Sequence, residues 1–235
     1  MTECPHCQAS VEDGALECAH CGVIFARWHG QPDAPAGPVA KPSAALPDPL
    51  RGPLRIARIV GLIVLVLWTV QFARLGVNEE VADSILHLPD LVFHEAGHVL
   101  FGFFGRFMTV LGGSLFQFLV PVILAVSFLR QRNQYAAAVC TWWAGQNLVD
   151  VAPYIADARA LQLILLGGHT GAEVEGHDWE FLLTQLGWLH LDRTLGLAAF
   201  RIGLGLMIGA IVWGAVYVAR ARGSATLMLP DDEPA

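Results

Sequence analysis

The chain has 235 residues, of which 54% are hydrophobic and only 15% charged, with a formal net charge of −7. An ordinary soluble domain carries roughly 25% charged residues, and here the apolar residues come in uninterrupted runs, so the composition excludes a purely soluble globular protein. A nucleic-acid partner is not predicted, because it would call for a basic face.

Residues 1–29 open with CPHCQASVEDGALECAHCGVIFARW, in which Cys4 and Cys7 form one C-x-x-C pair and Cys18 and Cys21 a second. Two such pairs offer four thiolates to one tetrahedral zinc ion, and a module this small would draw most of its folding free energy from the metal. Disulfides are the rival reading, disfavoured by the cytosolic location expected for this end. The stretch resembles zinc-ribbon knuckles, which implies a structural or docking role. Cys140, in an apolar segment, reads as a packing residue. Residues 30–53 hold seven of the thirteen prolines and read as an extended linker.

From there the sequence predicts an all-α, polytopic transmembrane bundle of about four to six membrane segments over residues 54–222. No charge falls within 59–73, 112–129 or 202–219, and runs of about this length can cross roughly 30 Å of hydrocarbon. The first span is placed at 55–74 and a second helix from Pro89 to about Gly105. A third covers 112–129, with Gly112 and Gly113 either permitting close backbone approach or marking a turn before it. A fourth covers 135–165, kinked or split at Pro153. Residues 167–193 read as extramembrane or re-entrant, a last span covers 195–219, and residues 223–235 form a disordered acidic tail. Arg51, Arg55 and Arg58 before the first span, with Glu79, Glu80 and Asp83 after it, favour a cytoplasmic N-terminus. Arg220 and Arg222 favour the same side for the C-terminus, which five full crossings would not allow. The chain opens without a cleavable signal, and a bacterial inner membrane is the expected location.

The second helix carries FHEAGHVLFGFFG, residues 93–105. His94 and His98 are one helical turn apart and project from one face, where both imidazoles can hold one metal. Glu95 is rotated about 100° from His94 and lies beside that metal, placed to take a proton from a water that the ion acidifies. Ionisable groups at membrane depth are costly unless they have a function or a partner. Two packing histidines would be the plain alternative, but that leaves Glu95 without a partner.

A catalytic zinc needs a third protein ligand and an open position. Between His98 and Asp150 the chain has no aspartate, glutamate or histidine. Asp150, in the apolar stretch TWWAGQNLVDVAPYIAD, is the first acid available and the preferred third ligand. Asp157, His177 and Asp178 are its rivals. Asn147, one turn before Asp150, is placed as a hydrogen-bond donor to the developing oxyanion, and Asn147, Gln146 and Gln117 are expected to bound a polar cavity.

These pieces resemble the site-2 protease family of intramembrane zinc metalloproteases. The resemblance covers about residues 85–160 and rests on HEAGH in a hydrophobic helix, the glycine-bearing GGSLFQFLVP, and NLVDVAP in a later helix. It implies hydrolysis of a peptide bond in or near a membrane segment, with His94, His98 and Asp150 as zinc ligands and Glu95 as the base. The departures are that Val151 follows the aspartate and that the proline comes only at Pro153. The expected function is therefore a zinc-dependent intramembrane endopeptidase with one catalytic and one structural zinc. Its substrate is a membrane protein or membrane segment, and its ribbon recruits a protein partner. The alternative is a non-catalytic membrane protein with a structural or regulatory metal site and the ribbon as an interaction module. A metal transporter is a third, weaker reading.

Overall fold

The computed structural model describes residues 2–27 and 51–226. Residues 30–50 of the predicted linker and the acidic tail from Leu227 lie outside them. The chain divides into two compact units, Met1–Pro49 and Leu50–Ala235.

In the first unit, β1 (Thr2–Glu3) pairs antiparallel with β2 (Ser10–Val11). Two tight turns of the same design follow the two C-x-x-C pairs. The Gln8 N–H donates to the Cys4 carbonyl, and the Gly22 N–H donates to the Cys18 carbonyl. The residue after each second cysteine is left-handed, Gln8 at φ 62° and Gly22 at φ 73°. Glycine adopts this freely, whereas a side chain costs about 1–2 kcal/mol.

The second unit is helical. Among the described residues its six α-helices are α1 (Arg51–Leu75), α2 (His87–Phe101), α3 (Arg106–Arg130), α4 (Gln134–Ala156), α5 (Asp178–Gln185) and α6 (Asp192–Thr226). Among the described residues three stretches are long and apolar enough to cross a membrane: Gly52–Leu75, Arg106–Arg130 and Leu189–Arg220. Only 17% of the apolar window of the first is buried within the protein, and most of its isoleucines, valines and leucines, Leu65 excepted, face outward. An exposed apolar surface of that extent suits lipid and not water. α2, at 15 residues, is about 22 Å long and shorter than the hydrocarbon layer.

Several boundaries differ from the sequence expectation. α1 already begins at Arg51, inside the predicted linker, and α6 continues to Thr226, into the predicted tail. α3 begins at Arg106 instead of 112, so Gly112 and Gly113 lie inside the helix and are not a turn. The chain breaks before it at Gly105, which sits at φ 88°. α4 stops at Ala156 instead of continuing to 165, because the Asp157 carboxylate turns the chain by accepting from the Gln162 and Leu163 N–H groups, both at 3.0 Å. Pro153 therefore falls in the last turn of α4. α2 begins at His87 and keeps Pro89 in its first turn.

Small residues set the packing. A Cβ on Gly112 would meet the Gly97 carbonyl oxygen at 2.6 Å, so α2 and α3 touch backbone to backbone. α4 and α6 do the same at Gly145, where a Cβ would lie 2.6 Å from the Gly203 carbonyl oxygen. Within a membrane, where apolar side chains gain little by leaving lipid, close backbone approach of this kind drives helix association. α4 is the central element, buried along Ala137, Trp142, Ala144, Val149, Ala152 and Ile155. The Trp142 indole N–H ties it to α1 by donating to the Thr69 hydroxyl at 2.9 Å.

Candidate metal centre

His94 and His98 both lie on the α2 face toward α3, with ring centroids 4.9 Å apart. Each Nδ1 is occupied. His98 Nδ1–H donates to the Thr109 carbonyl at 2.9 Å, and His94 Nδ1 meets Gln117 Oε1 at 3.1 Å. With Nδ1 carrying one proton, Nε2 is the nitrogen of each ring left to face the site. The two Nε2 atoms converge on one carboxylate oxygen, Asp178 Oδ2, at 3.0 and 3.3 Å. Glu95 stands beside them and groups with the two imidazoles within 4.8 Å.

Gly113 of α3 makes room for this arrangement. A Cβ there would lie 2.6 Å from His94 Nε2 and 2.6 Å from both His98 Cε1 and Nε2. Any larger residue would crowd the two Nε2 atoms. Two imidazoles and a carboxylate around a gap that a methyl group would fill are a donor set suited to a zinc-sized cation.

Asp178 reaches the histidines from the first turn of α5 and is held from behind. Its backbone N–H donates to the Tyr154 hydroxyl at 2.8 Å. The preceding residue, His177, caps α5 by accepting the Glu180 N–H on Nδ1 at 3.1 Å, and its ring packs at a tilt of 48° against Tyr154 with centroids 4.3 Å apart. Burial pushes the His177 pKa below the usual imidazole value, which keeps the ring neutral and Nδ1 able to accept. Its Nε2 points at the Asp157 carboxylate, 3.5 Å away. Thus three of the residues weighed from sequence act together: Asp178 faces the histidines, His177 sets the helix that carries it, and Asp157 shapes the loop.

Asp150 and Asn147 are placed elsewhere. The Asp150 carboxylate takes the His87 Nδ1–H at 2.9 and 3.2 Å and the Gln117 Nε2–H at 2.9 Å. Its charge is therefore compensated by these two partners and not by His94 or His98. Asn147 is buried, its Nδ2–H donated to the Trp143 carbonyl at 2.9 Å. A cavity of about 460 Å³ opens on the histidines. Its lining includes His87, Glu95, Gln117, Asp150, Tyr154 and Asp178, but neither Asn147 nor Gln146. Of the three residues expected to bound it, only Gln117 does. Sequence reasoning passes over His87 and Tyr154. His87 lies seven residues before His94, two turns along the same stripe, and that periodicity is the available signal.

In the first unit the four cysteine sulfurs lie within 4.8 Å of one another, with Cys4–Cys21 and Cys7–Cys18 both at 3.7 Å. A zinc ion with four sulfurs at about 2.3 Å in a tetrahedron requires sulfur separations of about 3.8 Å, whereas a disulfide requires about 2.05 Å. The spacing fits the metal and not the bridge. The Cys21 backbone N–H helps draw the Cys18 thiol down to about 6, so that this sulfur is readily available as thiolate.

No family model, curated protein or solved structure matches the chain.

Proposed function

We propose that the second unit is a zinc-dependent intramembrane endopeptidase. The observation that carries this reading is the convergence of His94 Nε2 and His98 Nε2 on Asp178 Oδ2, with Glu95 beside them at the edge of a cavity. His94, His98 and Asp178 would hold the ion; it would supply Lewis acidity, polarising a peptide carbonyl and acidifying a water molecule. Glu95 accepts the proton from that water and returns it to the leaving amine, as a general base and then a general acid. The hydrogen bonds to Thr109 and Gln117 hold the imidazoles in the metal-binding tautomer, and Tyr154 and His177 hold Asp178 in place. The likeness of HEAGH and NLVDVAP to site-2 proteases agrees with the reaction class, while the third ligand in this reading comes from α5 and not from NLVDVAP.

The substrate is an apolar peptide segment in extended form, because a peptide bond inside an intact helix is shielded. Leu163–Leu166 lines the cavity, and Ile164 and Leu166 are 75% and 71% exposed, offering apolar contacts to such a segment. A closed structural site would need a fourth protein donor. Asp150 and His177 are both engaged elsewhere, and Glu95, whose carboxylate groups with the two imidazoles, serves in this reading as the base at the open cavity and not as that donor. The four-cysteine unit holds the first zinc in chain order, the histidine site the second, and the cysteine unit serves as a docking module for a protein partner. The protein sits in a bacterial inner membrane with its N-terminus in the cytoplasm.

The test is Glu95→Gln in the full chain, assayed with membrane-anchored reporter segments. Both zinc ions should stay bound while cleavage falls by about 10²–10⁴-fold, the usual contribution of a positioned acid–base group. Cleavage at the wild-type rate would remove Glu95 from the mechanism.

A further inference from the structure

Asp150 is nearly buried, with 4% of its side chain exposed, yet it faces no metal ligand directly. What it faces is the amide of Gln117, itself only 2% exposed. Four side chains from three helices form a single hydrogen-bonded chain: His87 Nδ1 to Asp150 at 2.9 Å, Asp150 Oδ2 to Gln117 Nε2 at 2.9 Å, and Gln117 Oε1 to His94 Nδ1 at 3.1 Å.

The order of this chain has a chemical consequence. An ionised carboxylate only accepts, so the end of Gln117 that faces Asp150 must be its NH₂. The opposite end is then the carbonyl oxygen, which only accepts, so the His94 nitrogen that meets it must bear the proton. The chain thereby keeps a proton on His94 Nδ1, which leaves Nε2 as the ring nitrogen available to a cation beside Asp178 and Gly113. Without the carboxylate, the amide can turn over and present NH₂ to His94 Nδ1, which favours the tautomer with the proton on Nε2. The negative charge also polarises the amide, strengthening its oxygen as an acceptor.

We propose that Asp150 is a positioning residue that acts on His94 through Gln117, orienting the amide that locks the imidazole in its metal-binding tautomer. This rests on the reading that His94, His98 and Asp178 hold zinc. His87, donating to both Asp150 oxygens, keeps the carboxylate paired and turned toward Gln117.

The experiment is zinc titration of the full-length chain in detergent against a chromophoric chelator, with the four-cysteine site as internal standard. Gln117→Leu and Asp150→Ala should each weaken the second zinc by 10–100-fold, the usual loss when the partner of a ligating histidine is removed. The double variant should be no weaker than the weaker single, because both changes break one chain. The exchange Gln117→Glu with Asp150→Asn rebuilds the chain in reverse. The new carboxylate at position 117 would accept the His94 Nδ1–H, and the new amide at position 150 would donate to it while accepting from His87. Affinity should recover to within a few-fold of wild type. Asp150→Asn alone serves in place of Asp150→Ala if the latter fails to fold, and its affinity should fall short of the exchange pair.

Wild-type affinity in Gln117→Leu, additive losses in the double variant, or no recovery in the exchange pair would each overturn the inference. So would complete loss of the second zinc in Asp150→Ala with Gln117→Leu unaffected, since Asp150 would then be a ligand itself. Asp178→Asn separates this from failure of the underlying assignment. If that variant keeps the second zinc at wild-type affinity, or if the wild type binds only one zinc, the ligand set is wrong and the positioning role falls with it.

Discussion

Gly113→Ala tests the metal centre with one methyl group. The added Cβ would stand 2.6 Å from three imidazole atoms, His94 Nε2 and His98 Cε1 and Nε2. A non-bonded carbon requires about 3.5 Å, so the rings must retreat by nearly 1 Å or the helices must part. Parting is resisted, because Gly97 and Gly112 already bring α2 and α3 into backbone contact and the same interface would have to open along its length. The rings must therefore move, and zinc sites tolerate ligand displacements of only about 0.2 Å. Overpacking of this kind costs about 1–3 kcal/mol, and charged against metal binding it weakens the second zinc by roughly 10–100-fold. Metal content of the purified full chain should fall from two zinc ions to one at limiting free zinc, with the four-cysteine site still loaded. Gly209→Ala, where an added Cβ meets nothing within 4 Å, is the control and should keep both. Two zinc ions bound at wild-type affinity in Gly113→Ala would refute the placement of the metal between the two imidazoles.

Further consequences concern each unit separately. Cys18→Ser should cost the first zinc and unfold residues 2–27 while the histidine-held zinc stays, as metal analysis and amide exchange would show. Gln8→Gly should relieve the left-handed strain at φ 62° and strengthen zinc binding by the four-cysteine unit by about 1 kcal/mol, roughly five-fold in affinity. Gly203→Ala places a Cβ 2.5 Å from the Gly145 carbonyl oxygen. It should therefore lower the thermal midpoint of the membrane unit by several degrees, where Gly205→Ala, with open space around it, leaves the midpoint unchanged.

Much of the frame is legible because membrane solvation and metal coordination both write simple patterns. The charge-free runs at 59–73, 112–129 and 202–219 each fall inside an observed helix, since a chain in lipid satisfies its backbone internally. Two C-x-x-C pairs ten residues apart bring four sulfurs to metal spacing through local turns alone. His94 and His98 meet because i and i+4 always share a helix face. The end of α4 is less legible. Its apolar character continues past Ala156, and the stop is made by Asp157 accepting two N–H groups from residues further along the chain.

The third acid at the histidines shows where sequence order stops informing. Asp150 ranks first from sequence because an unpaired carboxylate in an apolar helix needs compensation. The premise holds, but the compensation comes from His87, 63 residues upstream, and from the Gln117 amide. Neither partner is marked by any local pattern around Asp150. Asp178 ranks lower because it lies in a polar, glycine-rich stretch that reads as loop. Yet a segment that follows a loop and carries its acid in the first turn of α5 reaches a buried site as readily as a long helix does, provided its own backbone is held. Here that holding comes from the Tyr154 hydroxyl and the His177 cap. Spacing along one helix therefore fixes which residues share a face, whereas the choice between two acids from different elements depends on which one already has a partner.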